Sequence, residues 1–215
     1  PVIFAIDRAG LVGEDGATHH GAFDLSYLRS VPGMVIMAPC DGAELTAMLR
    51  FAVEQADLPN AMPMAIRYPR GSTSLSPIVP NSPPIEMGRA EQIFEGDDVA
   101  IVAVGSTVAE AIDAARSLEK EGIHATVINT RFVKPMDEET IARAAARTGR
   151  LIICEENTLA GGFGEGVVDM LMREGLGHVA VRRFGIPDRF VEHGSQAILR
   201  SICHLTSEDF ADGER

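Results

Sequence analysis

Residues 99–122 of the chain, VAIVAVGSTVAEAIDAARSLEKEG, carry a strand-and-helix pattern that indicates the fold class. The unbroken apolar run at 99–104 is typical of a strand that is buried on both faces of a sheet. Apolar residues then recur at helical spacing, and Gly122 can end the helix. Thr107 and Glu110 have the spacing of a capping box at the helix N-terminus. A buried strand followed by an amphipathic helix predicts an α/β unit with a parallel sheet.

The same alternation of strand and helix extends to both sides of this unit. Strands are expected at five further apolar runs: VIFAI (2–6), MVIMA (34–38), MAIRY (64–68), ATVIN (125–129) and LIIC (151–154). One helix should be capped by Asp41, with Glu44 completing a second capping box, and a shorter helix should begin at Asp137. The sequence therefore predicts two α/β domains with largely parallel sheets.

A proline-rich segment separates the two sets of predicted elements. PIVPNSPP (77–84) holds four prolines in eight positions, so it can neither continue a helix nor form a central strand. We interpret it as part of a linker over residues 77–87. This divides the chain into a first domain over 1–76 and a second domain over 88–215.

The charge of the chain limits its possible partners. The formal net charge is −12, from 31 acidic and 19 basic residues. Such a field repels nucleic acids and anionic membranes, so we expect neither as a partner. No apolar run approaches the roughly 20 residues that a membrane span needs.

Cysteine usage suggests the compartment. Cys40, Cys154 and Cys203 are odd in number and widely spaced, which favours free thiols in a reducing cytoplasm. Cys40 precedes a helix start, where the pKa of a thiol can be lowered, but no base is certain beside it and we interpret it as structural. Because the chain begins with Pro1 in a strand-like run, we expect it to be a piece of a longer polypeptide.

The segment IDRAGLVGEDGATHHGAFD (6–24) and the residues after the third strand hold the candidate anion-binding groups. Ligands bind beyond the carboxyl ends of parallel strands, so Arg8 and Arg70 are expected at the same rim of one sheet. Two guanidinium groups can hold a phosphate dianion. The alternative is that both are surface arginines paired with nearby acids. Arg67 lies within the strand and is interpreted as structural.

Asp15 and His19 are the second candidate pair. They stand four residues apart in a glycine-rich loop, so the sequence does not fix their distance. In one interpretation His19 moves a proton to or from a carbonyl or hydroxyl while Asp15 orients it or the substrate. In the other, Asp15 caps a turn and His19 is solvated. A zinc site is the weakest interpretation, because His19 and His20 are adjacent and no HxxxH or CxxC spacing is present.

The glycine-rich run GGFGEG (161–166) does not match G-x-G-x-x-G in any register. Tight packing of a strand against a helix explains its glycines better than nucleotide binding does. The preceding Glu155 and Glu156 would repel a pyrophosphate, and both lie beside Asn157. They are candidates for an interface or for the rim of the site.

Five stretches, in chain order, resemble the 1-deoxy-D-xylulose-5-phosphate synthase family. They are IDRAGLVGEDGATHHGAFDLSYLRSVPGMVIMAP (6–39), RYPRG (67–71), RFVKPMDEE (131–139), EENTLAGGFGEGV (155–167) and GIPDRFVEHGS (185–195). The resemblance implies that residues 1 to about 80 are the latter half of a transketolase pyrimidine-binding domain. It implies that the residues from about 88 onward are a transketolase C-terminal domain.

The resemblance also implies an activity. The family condenses pyruvate with D-glyceraldehyde 3-phosphate and releases carbon dioxide, using thiamine diphosphate and a divalent metal such as Mg²⁺, on the route to isoprenoids and thiamine. Arg8 and Arg70 match the arginines that clamp the phosphate of the acceptor. Asp15 and His19 match polar groups at the reaction centre.

The same resemblance predicts what this chain lacks. The GDG motif for the diphosphate and metal and the catalytic glutamate belong to a part of the family that is absent here, so no cofactor-binding or metal-binding residue is assigned. We expect the isolated chain to be inactive, to need the missing N-terminal half, and to form a homodimer.

Three rival interpretations remain open. Transketolase itself and the β subunits of 2-oxoacid dehydrogenases share the two-domain plan, and a β subunit lacks the diphosphate motif because its partner supplies it. Arg8 and Arg70 count against the β subunit, because a dehydrogenase without a phosphorylated acceptor does not need them. The third rival is a non-catalytic module whose role is dimerisation.

Overall fold

The structure is a computed structural model that describes residues 1–73 and 76–213. Its strands are β1 (Ile3–Ile6), β2 (Val35–Met37), β3 (Met64–Arg67), β4 (Glu91–Phe94), β5 (Val99–Ala103), β6 (Ala125–Asn129), β7 (Phe132–Lys134), β8 (Arg150–Thr158) and β9 (Ala180–Ile186). Its helices are α1 (Asp24–Arg29), α2 (Gly42–Ala56), α3 (Thr107–Lys120), α4 (Glu138–Thr148), α5 (Phe163–Arg173), α6 (Gln196–Ile202) and α7 (Ser207–Asp212). None of the helices in the described ranges is long and apolar enough to cross a membrane.

The first sheet has the strand order β1-β3-β2-β7. β3 is parallel to both of its neighbours, and Ile6 lies opposite Arg67 in the register of β1 with β3. β7 joins the other edge in the antiparallel sense, with Ile36 opposite Lys134. A strand from the latter part of the chain therefore completes the sheet formed by the first part.

The second sheet has the strand order β4-β6-β5-β8-β9. Four of its strands are mutually parallel: β5, β6, β8 and β9. β4 pairs with β6 in the antiparallel sense. β5 and β6 are buried along their whole length, as expected for parallel strands that are covered on both faces. The prediction of two α/β units with largely parallel sheets is confirmed.

The N-terminus of α2 forms only one half of the predicted capping box. Asp41 caps the helix as predicted, because its carboxylate accepts a hydrogen bond from the backbone N–H of Glu44 at 2.8 Å. The Glu44 side chain does not return to Asp41. It accepts from the backbone N–H of Cys40 at 2.7 Å, and its other oxygen accepts from Asn129 at 2.9 Å and Arg131 at 2.8 Å. A buried arginine outside the helix thus overrides the local motif.

The capping box predicted at Thr107 is wrong. Thr107 is the first residue of α3, and no side chain caps this helix. The Thr107 hydroxyl instead lies 3.0 Å from the carbonyl oxygen of Val104 and 2.9 Å from that of Cys154, which ties the helix to β5 and β8. Glu110 accepts from the backbone N–H of Ser207 at 3.1 Å, so its carboxylate fastens α7 rather than its own helix.

Two other helix-end predictions are confirmed. Gly122 has a φ of +82° just beyond α3, and Ile123 N–H donates to the Leu118 carbonyl at 3.0 Å, which is the bonding of a Schellman motif. Asp137 caps α4 and accepts from the backbone N–H of Thr140 at 3.0 Å.

The proline-rich segment forms neither helix nor strand where it is described, at residues 76–90. Ile85 and Met87 pack against the apolar core of the first sheet, and Val79 packs against the core of the second. The segment therefore contacts both units along its path. Its assignment as a linker between domains over 1–76 and 88–215 stays a prediction.

Candidate functional site

The segments that carry Arg8 and Arg70 lie side by side at the carboxyl edge of the first sheet. β1 and β3 are neighbouring parallel strands, so their C-terminal ends meet at one edge. Tyr68 N–H donates to the Ile6 carbonyl at 3.0 Å, and Ala9 N–H donates to the Tyr68 carbonyl at 3.0 Å. The backbone thus brings both segments to the rim that the sequence predicts.

Arg70 lines a cavity of about 470 Å³ at this rim. Its guanidinium forms an ion pair with the Asp15 carboxylate, and the two side chains are 53% and 33% exposed. Tyr68, Thr73 and Gln196 also line the cavity. An anion that entered would meet a guanidinium whose existing partner is solvent-accessible and can be displaced.

Arg8 is half-buried and does not line this cavity in the described part of the chain. Its backbone has a φ of +58°, an unusual conformation for a residue with a Cβ. Gly21 N–H donates to the Arg8 carbonyl at 2.9 Å, and a Cβ on Gly21 would lie 2.3 Å from that oxygen. The opening loop is therefore folded tightly onto itself at Arg8. Binding of one phosphate group by both Arg8 and Arg70 stays a prediction.

The side chains of Asp15 and His19 have different partners in the structure. Asp15 pairs with Arg70, whereas His19 is exposed and its Nδ1 lies 2.9 Å from the Thr18 hydroxyl. His19 N–H donates to the Gly16 carbonyl at 3.0 Å within a tight turn. A proton-transfer role for His19 stays a prediction, and Asp15 does not orient its ring here.

His20 has a structural part in the same loop. Its Nδ1 accepts a hydrogen bond from Val12 N–H at 3.0 Å, so its Nε2 carries the proton and faces the Glu192 carbonyl at 3.4 Å. Within residues 1–73 and 76–213, no group of three or more His, Cys, Asp or Glu side chains could hold a metal ion.

Arg67 lies at the centre of a buried polar cluster beneath the loop. Its side chain is 3% exposed, and its Nε lies 2.9 Å from Asp24 Oδ1. Its Nη2 donates to the carbonyls of Gly21 at 2.6 Å and Glu156 at 2.8 Å. Burial raises the pKa of Asp24, and the positive charge of Arg67 opposes that rise. These contacts support the structural interpretation of Arg67.

Glu156 fastens the opening loop to the second sheet. This side chain is 2% exposed. Its carboxylate accepts from Leu11 N–H at 2.9 Å, from the Ser106 hydroxyl at 2.8 Å and from Arg200 at 2.9 Å. A Cβ on Gly10 would lie 2.5 Å from Glu156 Cγ. The loop that carries Asp15 therefore rests directly on a charged side chain of β8.

Glu155 explains the glycines of GGFGEG. Its carboxylate accepts from the backbone N–H groups of Phe163 at 2.7 Å and Gly164 at 2.8 Å, at the start of α5. A Cβ on Gly162 would lie 2.6 Å from both carboxylate oxygens of Glu155. Burial raises the pKa of Glu155 to about 7, and the two backbone hydrogen bonds oppose that rise. Glycine is required here for packing, as predicted.

Glu155, Glu156 and Asn157 lie within β8 and are buried, so they form an internal interface. Asn157 Oδ1 accepts from Leu25 N–H at 3.2 Å, and its amide donates to the Ser26 hydroxyl at 3.0 Å. Together the three residues of β8 hold the loop, α1 and α5.

Gln196 and Arg200 are site residues that sequence reasoning missed. Gln196 Nε2 donates to the Leu11 carbonyl at 3.0 Å and lies 3.4 Å from the Arg70 carbonyl. Both residues lie on α6 and line the Arg70 cavity. α6 has only seven residues, too few for a clear helical period. Ser195, a residue type that favours helix N-caps, was the available signal.

Cys40 is not an activated thiol. Burial raises the pKa of Cys40 well above its usual range, and the negative charge of Glu44 raises it further. Cys40 therefore stays protonated at neutral pH, which supports its structural interpretation.

Comparison with known families divides the chain between two domains of one family. Residues 1–74 match the transketolase pyrimidine-binding domain, and residues 88–209 match the transketolase C-terminal domain. Two curated relatives have the name 1-deoxy-D-xylulose-5-phosphate synthase. The Geobacter sulfurreducens protein numbered 1 is 55% identical over 201 residues, which is 94% of this chain and 31% of the relative. The Heliobacterium modesticaldum protein is 49% identical over 211 residues, which is 98% of this chain and 32% of the relative.

Solved structures share the fold. A split-gene transketolase, described as an inactive β4 tetramer, is 33% identical with a TM-score of 0.85, and the match covers 99% of this chain and 65% of that one. A transketolase from Campylobacter jejuni is 19% identical with a TM-score of 0.71, covering 98% of this chain and 30% of that one. The second likeness shows the fold alone.

The two family matches cover the strands of both sheets and leave residues 75–87 between them unmatched. The chain spans about a third of the length of the curated relatives that it matches, and the similarity runs through nearly all of it. The chain therefore belongs to the transketolase family, and within that family it is similar to the 1-deoxy-D-xylulose-5-phosphate synthases.

Proposed function

We propose that the chain is the acceptor-binding portion of a 1-deoxy-D-xylulose-5-phosphate synthase. That enzyme condenses pyruvate with D-glyceraldehyde 3-phosphate and releases carbon dioxide. The observation that carries the proposal is Arg70, which lines a cavity at the carboxyl edge of the first sheet and forms an ion pair with Asp15. The 55% identity to a synthase of that name supports the choice of substrates.

Arg70 would bind the phosphate of the acceptor. A planar guanidinium can donate two parallel hydrogen bonds to phosphate oxygens. Asp15, which now neutralises Arg70, would move aside as the dianion enters. Arg8 on the neighbouring segment would provide the second positive charge, and His19 would donate a proton to the oxygen of the acceptor carbonyl.

Gln196 would keep this arrangement rigid, because its side-chain amide donates a hydrogen bond to the Leu11 carbonyl and also lies beside the Arg70 carbonyl. The loop with Asp15 and the segment with Arg70 are then held in one register. Preorganisation of this kind places the reacting groups before the substrate arrives.

Thiamine diphosphate, when bound, supplies the electron sink that stabilises the charge left after pyruvate loses carbon dioxide. Residues 1–73 and 76–213 contain no group of three or more His, Cys, Asp or Glu side chains that could hold the metal ion. We propose that thiamine diphosphate and Mg²⁺ are held mainly by a segment outside these 215 residues.

We further propose that the chain alone is inactive and that the active protein is a homodimer of the longer polypeptide. The solved neighbour described as an inactive β4 tetramer covers nearly all of this chain and supports the first point. To test the proposal, the chain is assayed alone and after fusion to the preceding segment of the Geobacter relative, with pyruvate and D-glyceraldehyde 3-phosphate. We expect product only from the fusion. Turnover by the chain alone would contradict the inactivity, and a folded but inactive fusion would contradict the assigned reaction.

A transketolase half is the second candidate, favoured by the 33% identity to a split-gene transketolase. Donor specificity separates the two. A synthase uses pyruvate as the donor and releases carbon dioxide, whereas a transketolase uses a ketose phosphate and releases none. Product formation from a ketose phosphate but not from pyruvate would select the transketolase.

We keep the cytoplasmic location as a proposal. Cys40, Cys154 and Cys203 are all free in the described structure, and a reducing compartment preserves free thiols. Fractionation of the source cells tests it.

A further inference from the structure

A second cavity, of about 730 Å³, lies beside β9, the edge strand of the second sheet. It opens where β9 ends and where α6 turns into α7. Its charged lining consists of Arg182, Arg183, Arg189, His204, Asp209 and Asp212. It shares no lining residue with the Arg70 cavity. It also lies at the carboxyl end of a parallel strand, which is where ligands bind in open α/β sheets.

Two of its arginines lack an acidic partner, although the chain carries a formal charge of −12. Among residues 1–73 and 76–213, neither Arg182 nor Arg189 has a carboxylate oxygen within 4.0 Å. The Arg182 guanidinium lies 5.4 Å above the centre of the Phe184 ring. Arg183 reaches Glu165 only at 3.8 Å. In so acidic a chain, unpaired arginines around one cavity create a local positive field that attracts anions.

Asp209, one of the two acids that line the cavity, is already engaged. Asp209 accepts from the Thr206 backbone N–H at 3.1 Å and from its hydroxyl at 2.6 Å, and lies 3.1 Å from His204 Nδ1. It therefore serves the N-terminal cap of α7 and does not neutralise the arginines. Arg189 also acts electrostatically on Cys203 in the cavity wall. Burial raises the pKa of Cys203, and the positive charge of Arg189 opposes that rise.

The rest of the lining is apolar. Leu159, Phe184 and Ile202 contribute to the wall beside the arginines, and Phe184 is 7% exposed. A ligand that fills this space therefore combines an anionic group with a carbon skeleton. Inorganic anions alone would leave the apolar wall in water.

We propose that this cavity is a binding site for a small organic phosphate, separate from the proposed acceptor site. Arg182 and Arg189 bind the phosphate group by charge-assisted hydrogen bonds. The apolar wall formed by Leu159, Phe184 and Ile202 covers the carbon chain. The proposal does not depend on the reaction that the longer protein catalyses.

The test is a titration of the Arg70→Ala chain, in which the first cavity has lost the guanidinium of Arg70. The probes are inorganic phosphate and n-butyl phosphate, and binding is followed by amide chemical shifts of the lining residues. We expect saturable shifts at Gly185 and Ile202, with n-butyl phosphate about fourfold tighter for each methylene that is buried. Adding Arg189→Ala or Arg182→Ala should weaken binding at least tenfold.

Both substitutions alter exposed side chains, so folding is expected to persist, and the unperturbed amide shifts elsewhere verify it. The matched control is Arg116→Ala, which removes the same charge from an exposed pair with Asp113 on α3 and should leave affinity unchanged. The proposal is overturned if the shifts do not saturate, if Arg116→Ala weakens binding as much as Arg189→Ala does, or if both cavity variants bind as before.

Discussion

The contact between Gly10 and Glu156 can be tested by a pair of matched glycine substitutions. Gly10 and Gly33 both have a φ of +71°. A Cβ in this left-handed conformation costs about 1–2 kcal/mol. At Gly33 no heavy atom lies within 4 Å of the added Cβ, so Gly33→Ala measures this backbone strain alone.

Gly10→Ala adds a steric conflict to the same strain. Its Cβ would lie 2.5, 2.6 and 2.7 Å from three atoms of the Glu156 side chain. To make room, the Glu156 carboxylate must move away from Leu11 N–H, from which it now accepts a hydrogen bond at 2.9 Å. Loss of a hydrogen bond to a charged group costs about 1.5–3 kcal/mol. We therefore expect Gly10→Ala to lower the free energy of unfolding by about 2.5–5 kcal/mol in total.

The assay is urea unfolding of both variants and of the parent chain, followed by circular dichroism. Gly10→Ala should lose about 1.5–3 kcal/mol more than Gly33→Ala. If the two variants lose the same free energy within about 0.5 kcal/mol, the loop does not rest on Glu156 as described, and the reasoning about the site is refuted.

Two further predictions concern buried carboxyl groups. Asp24→Ala leaves the buried guanidinium of Arg67 without its carboxylate partner and should lower the free energy of unfolding by about 3–5 kcal/mol. The control Asp113→Ala, in an exposed pair, should lower it by less than about 1 kcal/mol. Equal losses of the two variants in urea unfolding would contradict this prediction. Burial raises the folded-state pKa of Glu155 from 4.5 to about 7, so its protonated form stabilises the fold fully below pH 4.5, and about 3 kcal/mol is lost as pH rises to 7. Glu155→Gln should remove that pH dependence while Glu165→Gln keeps it, and an unchanged profile for Glu155→Gln would count against the buried titration.

Unbroken apolar runs made the interior strands predictable. β5, β6 and β8 are buried on both faces, so each is marked by consecutive apolar residues whatever its neighbours are. β9 was missed, because Arg182 and Arg183 interrupt its apolar pattern. β7 was missed because it has three residues and is fixed by pairing with β2, nearly a hundred positions earlier in the chain.

Local motifs failed where a distant charge competed for the same group. Glu44 lies at capping-box spacing, yet it bonds Arg131, which is 87 positions away. A buried arginine needs a carboxylate more strongly than a helix N-terminus does. Nothing in the four residues around Glu44 indicates that competition.

The site shows the same division. Strand order placed the Arg8 and Arg70 segments at one edge, because parallel neighbours end together. The partner of Asp15 was not predictable from spacing, since Arg70 lies 55 positions away and His19 only four. Glu156 was recognised only as a residue of an interface or rim, and its bond to Leu11 spans 145 positions.

The central claim is that Arg70 binds the phosphate of the acceptor, and the most direct test is Arg70→Ala in the fused enzyme described above. Steady-state kinetics are measured with D-glyceraldehyde 3-phosphate and with unphosphorylated D-glyceraldehyde. Removal of charge-assisted bonds worth about 1.5–3 kcal/mol should lower kcat/KM for the phosphorylated acceptor about ten- to a hundredfold. The KM for pyruvate and the kcat/KM for D-glyceraldehyde should not change. An equal loss on both acceptors, or no loss on either, would contradict the account.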